Sequence, residues 1–144
     1  MFLYKTSIHL RDTDATGVLF FTEQLRLAVQ AFEEYLKSTG SSLAALVDSC
    51  DCLMPIVHAE ADFTAPLQMG DDIEITIELG RLGNSSFTLN YKFIRLEDQV
   101  SAGTASIVHT AVSKKTRSKI PMPKELASVL QKLQQEREEC CGPV

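Results

Sequence analysis

RDTDATGVLFF, residues 11–21, lies where one hydrophobic period gives way to another. Before it, Phe2, Tyr4, Ile8 and Leu10 share one parity, the two-residue period of a strand over residues 2–10. After it, Leu25, Ala28, Val29, Phe32, Tyr35 and Leu36 recur at spacings of three and four. That is one face of a helix starting near Thr22 and stopped by Gly40. Leu27 and Ala31 widen the apolar arc, so this helix is expected at the centre of the molecule. Between strand and helix stand Asp12 and Asp14, then a Thr-Gly step and the apolar run Val18, Leu19, Phe20 and Phe21. Aspartates one residue apart in a turn ordinarily bond to nearby backbone. The apolar run is more than a surface turn requires, and it opens a second reading: a carboxylate held against a helix N-terminus.

Downstream, residues 41–52 fit either a short helix or a loop. Four strand patterns follow. Val57, Ala59, Ala61 and Phe63 alternate with His58, Glu60 and Asp62; Ile73, Ile75, Ile77 and Leu79 alternate after the turn APLQMGDD. Phe87, Leu89, Tyr91 and Phe93 alternate after GRLGNSS, and a small, β-branched run extends from Val100 to Val112. These lengths and turns suit consecutive antiparallel strands. Pro123 opens a last helix over about 123–138, with Leu126, Val129, Leu130 and Leu133 as its apolar stripe. Glu136, Glu138 and Glu139 oppose its dipole, so that end is expected to fray. The order predicts an α+β chain: one domain over residues 1–144, with a core of about 2–120 and a five-stranded antiparallel sheet wrapped on the long helix.

Composition narrows the function classes. A net charge of -5 argues against a general nucleic-acid binder. No apolar run approaches the roughly 18 residues of a membrane span, and MFLYKTSIHL does not read as a signal peptide, so a cytoplasmic protein is expected. Without a secretory signal Cys50, Cys52, Cys140 and Cys141 read as free thiols rather than a disulfide framework, and C-x-C and C-C are poor zinc spacings. Asp12 and Asp14 lack the further oxygen ligands a hard cation needs, so no metal site is expected. There is no G-x-S-x-G elbow for a serine hydrolase.

The acid-bearing loop ahead of the long helix resembles the hot-dog fold thioesterases, in the branch typified by 4-hydroxybenzoyl-CoA thioesterase. Members carry D-x-D-x-x-G followed by two apolar and two aromatic residues, matched here by Asp12, Asp14, Gly17 and Val18 to Phe21. PIVHAEADFTAPLQMGDDIEI matches a more generic stretch of the fold. Within the branch, LRLAVQAFEEYL and MPIVHAEADFTAPL are most similar to 1,4-dihydroxy-2-naphthoyl-CoA thioesterases of phylloquinone-making organisms.

The resemblance implies a catalytic carboxylate at Asp14, nucleophile or general base, with Asp12 positioning the loop. It puts the carbonyl-polarising backbone N–H at Phe21, at the start of the central helix. Gly17, Val18, Leu19 and Phe20 would meet the acyl group. His58 is placed near the active-site end of its strand, although His58, Glu60 and Asp62 also read as the polar side of a half-buried sheet. The basic segment SKKTRSK, residues 113–119, offers Lys115 and Arg117 to the nucleotide phosphates of Coenzyme A, and a solvated strand end is the competing reading. In relatives the turn before the fourth strand often carries basic residues; here it is Gly83-Asn84-Ser85-Ser86, where Asn84 and Ser85 would have to hydrogen-bond instead. Coenzyme A would enter as part of the substrate, and no cofactor is implied.

The fold family also implies a homodimer or dimer of dimers with the pocket between subunits. The expected activity is hydrolysis of an aromatic acyl-CoA. Broader acyl-CoA or acyl-carrier-protein hydrolysis and a non-catalytic ligand-binding role are the alternatives.

Overall fold

The computed structural model describes residues 1–40 and 42–140, with side chains as far as residue 134. The expectations placed on Glu136, Glu138, Glu139, Cys140 and Cys141 therefore fall outside the described side chains. Strand β1, Phe2–Ser7, stops earlier than its alternation suggests. Ile8 is turned into the core by two backbone bonds, from its own N–H to Asp71 O and from Gly70 N–H to its carbonyl. One turn of 3-10 helix, Leu10–Asp12, follows and leaves Leu10 71% exposed. Helix α1 spans Glu23–Ser38 and buries Ala28, Phe32, Tyr35 and Leu36 of the predicted face together with its expected flanks Leu27 and Ala31, while Leu25 and Val29 stay half-buried, so the buried stripe is turned toward the flank. Gly40, at φ 87°, supplies the left-handed step that ends it.

Residues 41–52, open between helix and loop in the sequence, contain helix α2, Leu43–Cys50. Ser42 caps it by accepting the Ala45 N–H at 3.1 Å, and Asp51 ends it in the left-handed region. A two-residue strand β2, Cys52–Leu53, then leads to β3, Ile56–Phe63. Strands β4 (Asp72–Leu82), β5 (Ser86–Arg95) and β6 (Val100–Thr110) form a meander, and β7, Val112–Ser113, turns aside to pair with β2. The expected single run to Val112 is thus broken at Ala111. Helix α3, Lys124–Cys140, buries Leu126, Val129, Leu130 and Leu133.

The sheet is antiparallel with five strands in the order β1-β4-β5-β6-β3. One expectation fails here: β3 is not the hairpin partner of β4. The segment between them, residues 64–71, crosses the end of the sheet, so β3 lies at the far edge beside β6. Ile73, Ile75, Ile77, Leu89, Tyr91, Phe93 and Ile107 line the face against α1, and burying that face is the main drive for folding. Edge strand β3 differs from its neighbours. Its inward parity pairs with buried positions of β6, yet Ile56, Val57 and Phe63 are about half exposed at 47%, 59% and 54%.

No helix among the described residues is long and apolar enough to cross a membrane. Cys50 and Cys52 are free thiols, and burial pushes the Cys52 thiol up to about 11.

Candidate active site

The two aspartates of the opening loop fold into different environments. Asp12 is buried, 1% exposed; its Oδ2 accepts the His9 N–H at 2.9 Å and its Oδ1 accepts Arg26 Nη2 at 2.6 Å. Arg26 stands on α1, where it also pairs with Glu23, so Asp12 ties loop to helix. Asp14 is exposed, and its Oδ1 accepts the Thr16 N–H at 2.8 Å and the Thr16 hydroxyl at 2.6 Å. The Gly17 N–H closes the turn on Asp14 O at 3.0 Å, with Gly17 at φ 80°, a conformation glycine adopts without strain. The bonds from Thr16, hydroxyl first and backbone second, hold the Asp14 carboxyl below its ordinary value. The local reading of the acidic turn is met. Asp14 makes the local turn, and its Oδ2 stays without a partner among the described residues.

Beyond Gly17 the chain is clipped to the crossing segment. Leu19 N–H donates to Leu67 O at 2.7 Å and Met69 N–H to Gly17 O at 3.1 Å. Val18, Leu19, Phe21 and Gln24 then face Phe63, Thr64, Ala65, Pro66 and Leu67 across a cavity of about 360 Å³. That volume is in the range of small-ligand clefts, about 300–1,000 Å³. Asp14, Gly17 and Phe20 adjoin the cavity in sequence without lining it. Phe20 stacks on Phe21 with ring centroids 4.9 Å apart, and both rings are exposed.

The Phe21 amide lies ahead of the helix rather than at its start. The Glu23 N–H turns back to Phe20 O at 2.9 Å, and α1 begins at Glu23 behind Thr22, whose side chain makes no cap bond. The Phe21 N–H has no acceptor among the described residues, so it is a free donor beside the positive end of α1.

The remaining predicted residues lie elsewhere. His58 is set apart from the cavity. A bulge at Val57 shifts the register so that His58, Glu60 and Asp62 oppose Val108, Ser106 and Thr104, on the face of the sheet turned away from α1. A second cavity, about 340 Å³, lies over that polar face and is lined by Glu60, Asp62 and Glu78 among others. Among the described residues no cluster of three or more His, Cys, Asp or Glu side chains could hold a metal ion.

Asn84 and Ser85 lie at the opposite end of the sheet, beside the two ends of the basic segment that carries Lys115 and Arg117. Met122 N–H donates to Asn84 O at 2.7 Å and Ala111 N–H to Ser85 O at 2.8 Å, which ties the β4–β5 turn to the residues on either side of the basic segment. Lys114 is taken by Asp48 at 3.0 Å. Lys115 and Arg117 are exposed and without an ion pair among the described residues, Arg117 at φ 61° in a turn closed on Ser113 O. The cavity adjoins β6 at Gly103, opposite Phe63, and the strand then runs to Thr110, about 23 Å at ~3.3 Å per residue, before the basic segment begins.

Three contributors escaped the sequence reading: Arg26, Gln24 and Phe63. Gln24 carried a usable signal. It lies one turn before Ala28 on the stripe that continues through Ala31 and Tyr35, and a polar residue on a core stripe needs a partner. Its Nε2 donates to Asp62 O at 3.0 Å and to Thr104 O at 2.9 Å.

Residues 8–130 match the profile of the thioesterase-like superfamily. A protein of Rippkaea orientalis named 1,4-dihydroxy-2-naphthoyl-CoA hydrolase is 35% identical over 124 residues, covering 85% of this chain and 90% of its own. One of the same name from Acaryochloris marina is 30% identical over 131 residues, covering 90% and 96%. The crystal structure of a 1,4-dihydroxy-2-naphthoyl-CoA thioesterase from Synechocystis superposes with a TM-score of 0.85 at 28% identity, covering 92% of this chain and 96% of that one. A gentisyl-coenzyme A thioesterase shares the fold, with a TM-score of 0.77 at 23% identity.

Proposed function

Since the chain belongs to the thioesterase-like superfamily and has the hot-dog fold, we propose that it hydrolyses 1,4-dihydroxy-2-naphthoyl-CoA, releasing the aromatic acid used in phylloquinone synthesis. The observation that carries the reading is the pairing of an ionised Asp14 with an unpartnered Phe21 amide on one loop beside an apolar cavity. The aryl group enters between Leu19, Phe21 and Phe63, and the thioester carbonyl turns toward the Phe21 N–H. As the tetrahedral centre forms, charge grows on that oxygen, where a fixed donor and the helix dipole stabilise it; one such donor is worth about 100- to 1000-fold in rate. Asp14 Oδ2 either attacks the carbonyl, giving a mixed anhydride that water then opens, or takes a proton from the attacking water. Hydrolysis in isotopically labelled water distinguishes the two: label reaches the Asp14 side chain only by the anhydride route.

The assembly follows from the edge strand. A two-fold axis through the middle of β3 would pair it antiparallel with a second copy and cover Ile56, Val57 and Phe63. It would also set the Phe63 end of one subunit beside the Ile56 end of the other. Ile56 pairs with His109 near the end of β6, shortly before the basic segment. Lys115 and Arg117 of one subunit then serve the cavity of its partner, and the Coenzyme A arm spans the junction. Asn84 and Ser85 accompany them.

Free-thiol release tests the activity, comparing 1,4-dihydroxy-2-naphthoyl-CoA with aliphatic acyl-CoAs in wild type and Asp14→Asn. Aryl-selective turnover that falls by about 1000-fold in the variant is expected. Undiminished turnover in Asp14→Asn removes the mechanism. Because the bonds from Thr16 hold Asp14 below its ordinary pKa, it stays ionised in mildly acidic solution, and its acid limb in kcat/KM is expected on the acid side of the ordinary aspartate range.

A further inference from the structure

Gln24 is more deeply buried than a surface glutamine on the first turn of a helix has reason to be, at 1% exposed. Both of its amide hydrogens are committed. Nε2 donates to Asp62 O on β3 and to Thr104 O on β6, at 3.0 and 2.9 Å. An amide group has two donors on nitrogen and acceptor lone pairs on oxygen. Two carbonyls facing Nε2 therefore fix its orientation, because the flipped amide would set oxygen against two oxygens. Oε1 is left as an acceptor with no partner among the described residues.

The sealed, unpartnered side-chain polar atoms among the described residues are Tyr91 OH and His109 Nε2, and Gln24 Oε1 is not one of them. Gln24 lines the cavity together with Leu19, Phe21 and Phe63, the one described cavity it borders. The fold keeps space for this arrangement. A Cβ on Gly103 would stand 2.4 Å from Asp62 O, 2.7 Å from Gln24 Nε2 and 3.0 Å from Oε1, so only glycine at 103 admits the glutamine.

An apolar cavity with one oriented, unpaired acceptor in its wall selects a ligand that carries a donor at that point. Leaving such an acceptor unpaired costs more than a good bond gains, so discrimination falls hardest on ligands without the donor. We propose that Gln24 is a specificity-determining residue whose Oε1 accepts a hydrogen bond from a ring hydroxyl of the acyl group. The assignment rests on the proposed aryl-CoA activity, and it adds what in this cavity separates a hydroxylated ring from a bare one.

The test compares kcat/KM for 1,4-dihydroxy-2-naphthoyl-CoA and 2-naphthoyl-CoA, the same ring without hydroxyls, in wild type and Gln24→Met. Intrinsic thioester reactivity cancels when the substrate ratio is compared between the two proteins. The ratio is expected to fall about ten- to hundred-fold in the variant. Both substrates slowing together, with the ratio unchanged, would make Gln24 only an anchor of α1 or a holder of water, and overturns the proposal. If Gln24→Met does not fold, wild type decides alone. A preference for the dihydroxy substrate of about tenfold or more, after correction for hydroxide hydrolysis, supports the role, and a smaller one overturns it. Release of no thiol from either substrate by wild type would instead refute the aryl-CoA activity itself, a result distinct from turnover of both without preference.

Discussion

Two inactive variants, when mixed, should restore activity. Asp14→Asn removes the carboxylate at one end of the sheet, and Lys115→Ala with Arg117→Ala removes the charges at the other. Within one chain the stretch of β6 from Gly103, opposite Phe63, to Thr110 holds these ends about 23 Å apart at ~3.3 Å per residue, and the shared site proposed above joins them across two subunits. Charge-assisted bonds to phosphate are worth about 1.5–3 kcal/mol each, so the double variant should lose at least ~100-fold in kcat/KM. After random exchange of an equal mixture, half of the dimers are mixed. In each mixed dimer both lesions fall on the same site, and the other site combines an intact Asp14 with intact basic residues. Half of the dimers with one of two sites working gives about one quarter of wild-type activity from two dead parents. The assay is thiol release at substrate well below KM, after unfolding and refolding the mixture to exchange subunits. Activity at the level of the parents, with exchange verified by mass-tagged subunits, would refute the shared site.

Three further outcomes concern polar groups buried by the fold. Tyr91 OH is sealed and unpartnered, and burial pushes its pKa far above the usual phenol value, so Tyr91→Phe should leave stability unchanged or raise it by up to about 1 kcal/mol in urea titration; a loss of that size would reveal a missed bond. His109 gives its Nδ1 proton to Met54 O at 3.0 Å and stacks on Phe87 at 4.8 Å, while Nε2 has no partner; burial lowers its pKa, so the unfolded chain binds the proton more readily. Its contribution is complete above pH ~6.5 and lost as pH falls through that value toward the folded pKa; an acid-side drop in Tm equally steep in His109→Leu would exclude it. Arg26→Met strands the buried Asp12 carboxylate and should cost about 2 kcal/mol, while adding Asp12→Asn should cost less than the two single losses together; simple additivity would mean that the pair does not couple.

Periodicity carried the architecture, because burying a helix face or a strand face imposes it directly. Ala28, Phe32, Tyr35 and Leu36 of α1, the β4–β5–β6 meander and the stripe of α3 lie where spacing put them, with Leu27 and Ala31 sealed in place of the half-buried Leu25 and Val29. What spacing did not carry was long-range order. Nothing local in APLQMGDD distinguishes a hairpin turn from a crossing segment, so β3 was read beside β4. The acidic loop was legible as a motif, and Asp12 as its positioning residue. Its buried partner Arg26 was not, because an arginine on a helix flank looks the same whether it faces water or an internal carboxylate. His58 lies on the polar face with Glu60 and Asp62, as alternation put it, while the bulge at Val57 passes the inward position to Ile56; the site role of His58 came from the resemblance and not from spacing.

The edge strand shows why the candidate site is harder to read than the fold. Ala59, Ala61 and Phe63 alternate as cleanly as Ile73, Ile75 and Ile77, yet the second set is sealed under α1 and the first is not. Alternation records that a face is to be buried; it does not record by what. In a single chain the apolar edge, the half-open cavity beside Phe63 and the distant basic segment look like three unrelated defects. One two-fold operation on β3 would remove all three at once, covering the edge, closing the cavity and bringing a partner's Lys115 and Arg117 toward an acyl site that lacks a phosphate anchor. An aromatic thioester joined to a long anionic carrier needs an apolar end and a basic end far apart. A fold that makes these at opposite ends of one sheet would obtain the whole site by pairing with itself.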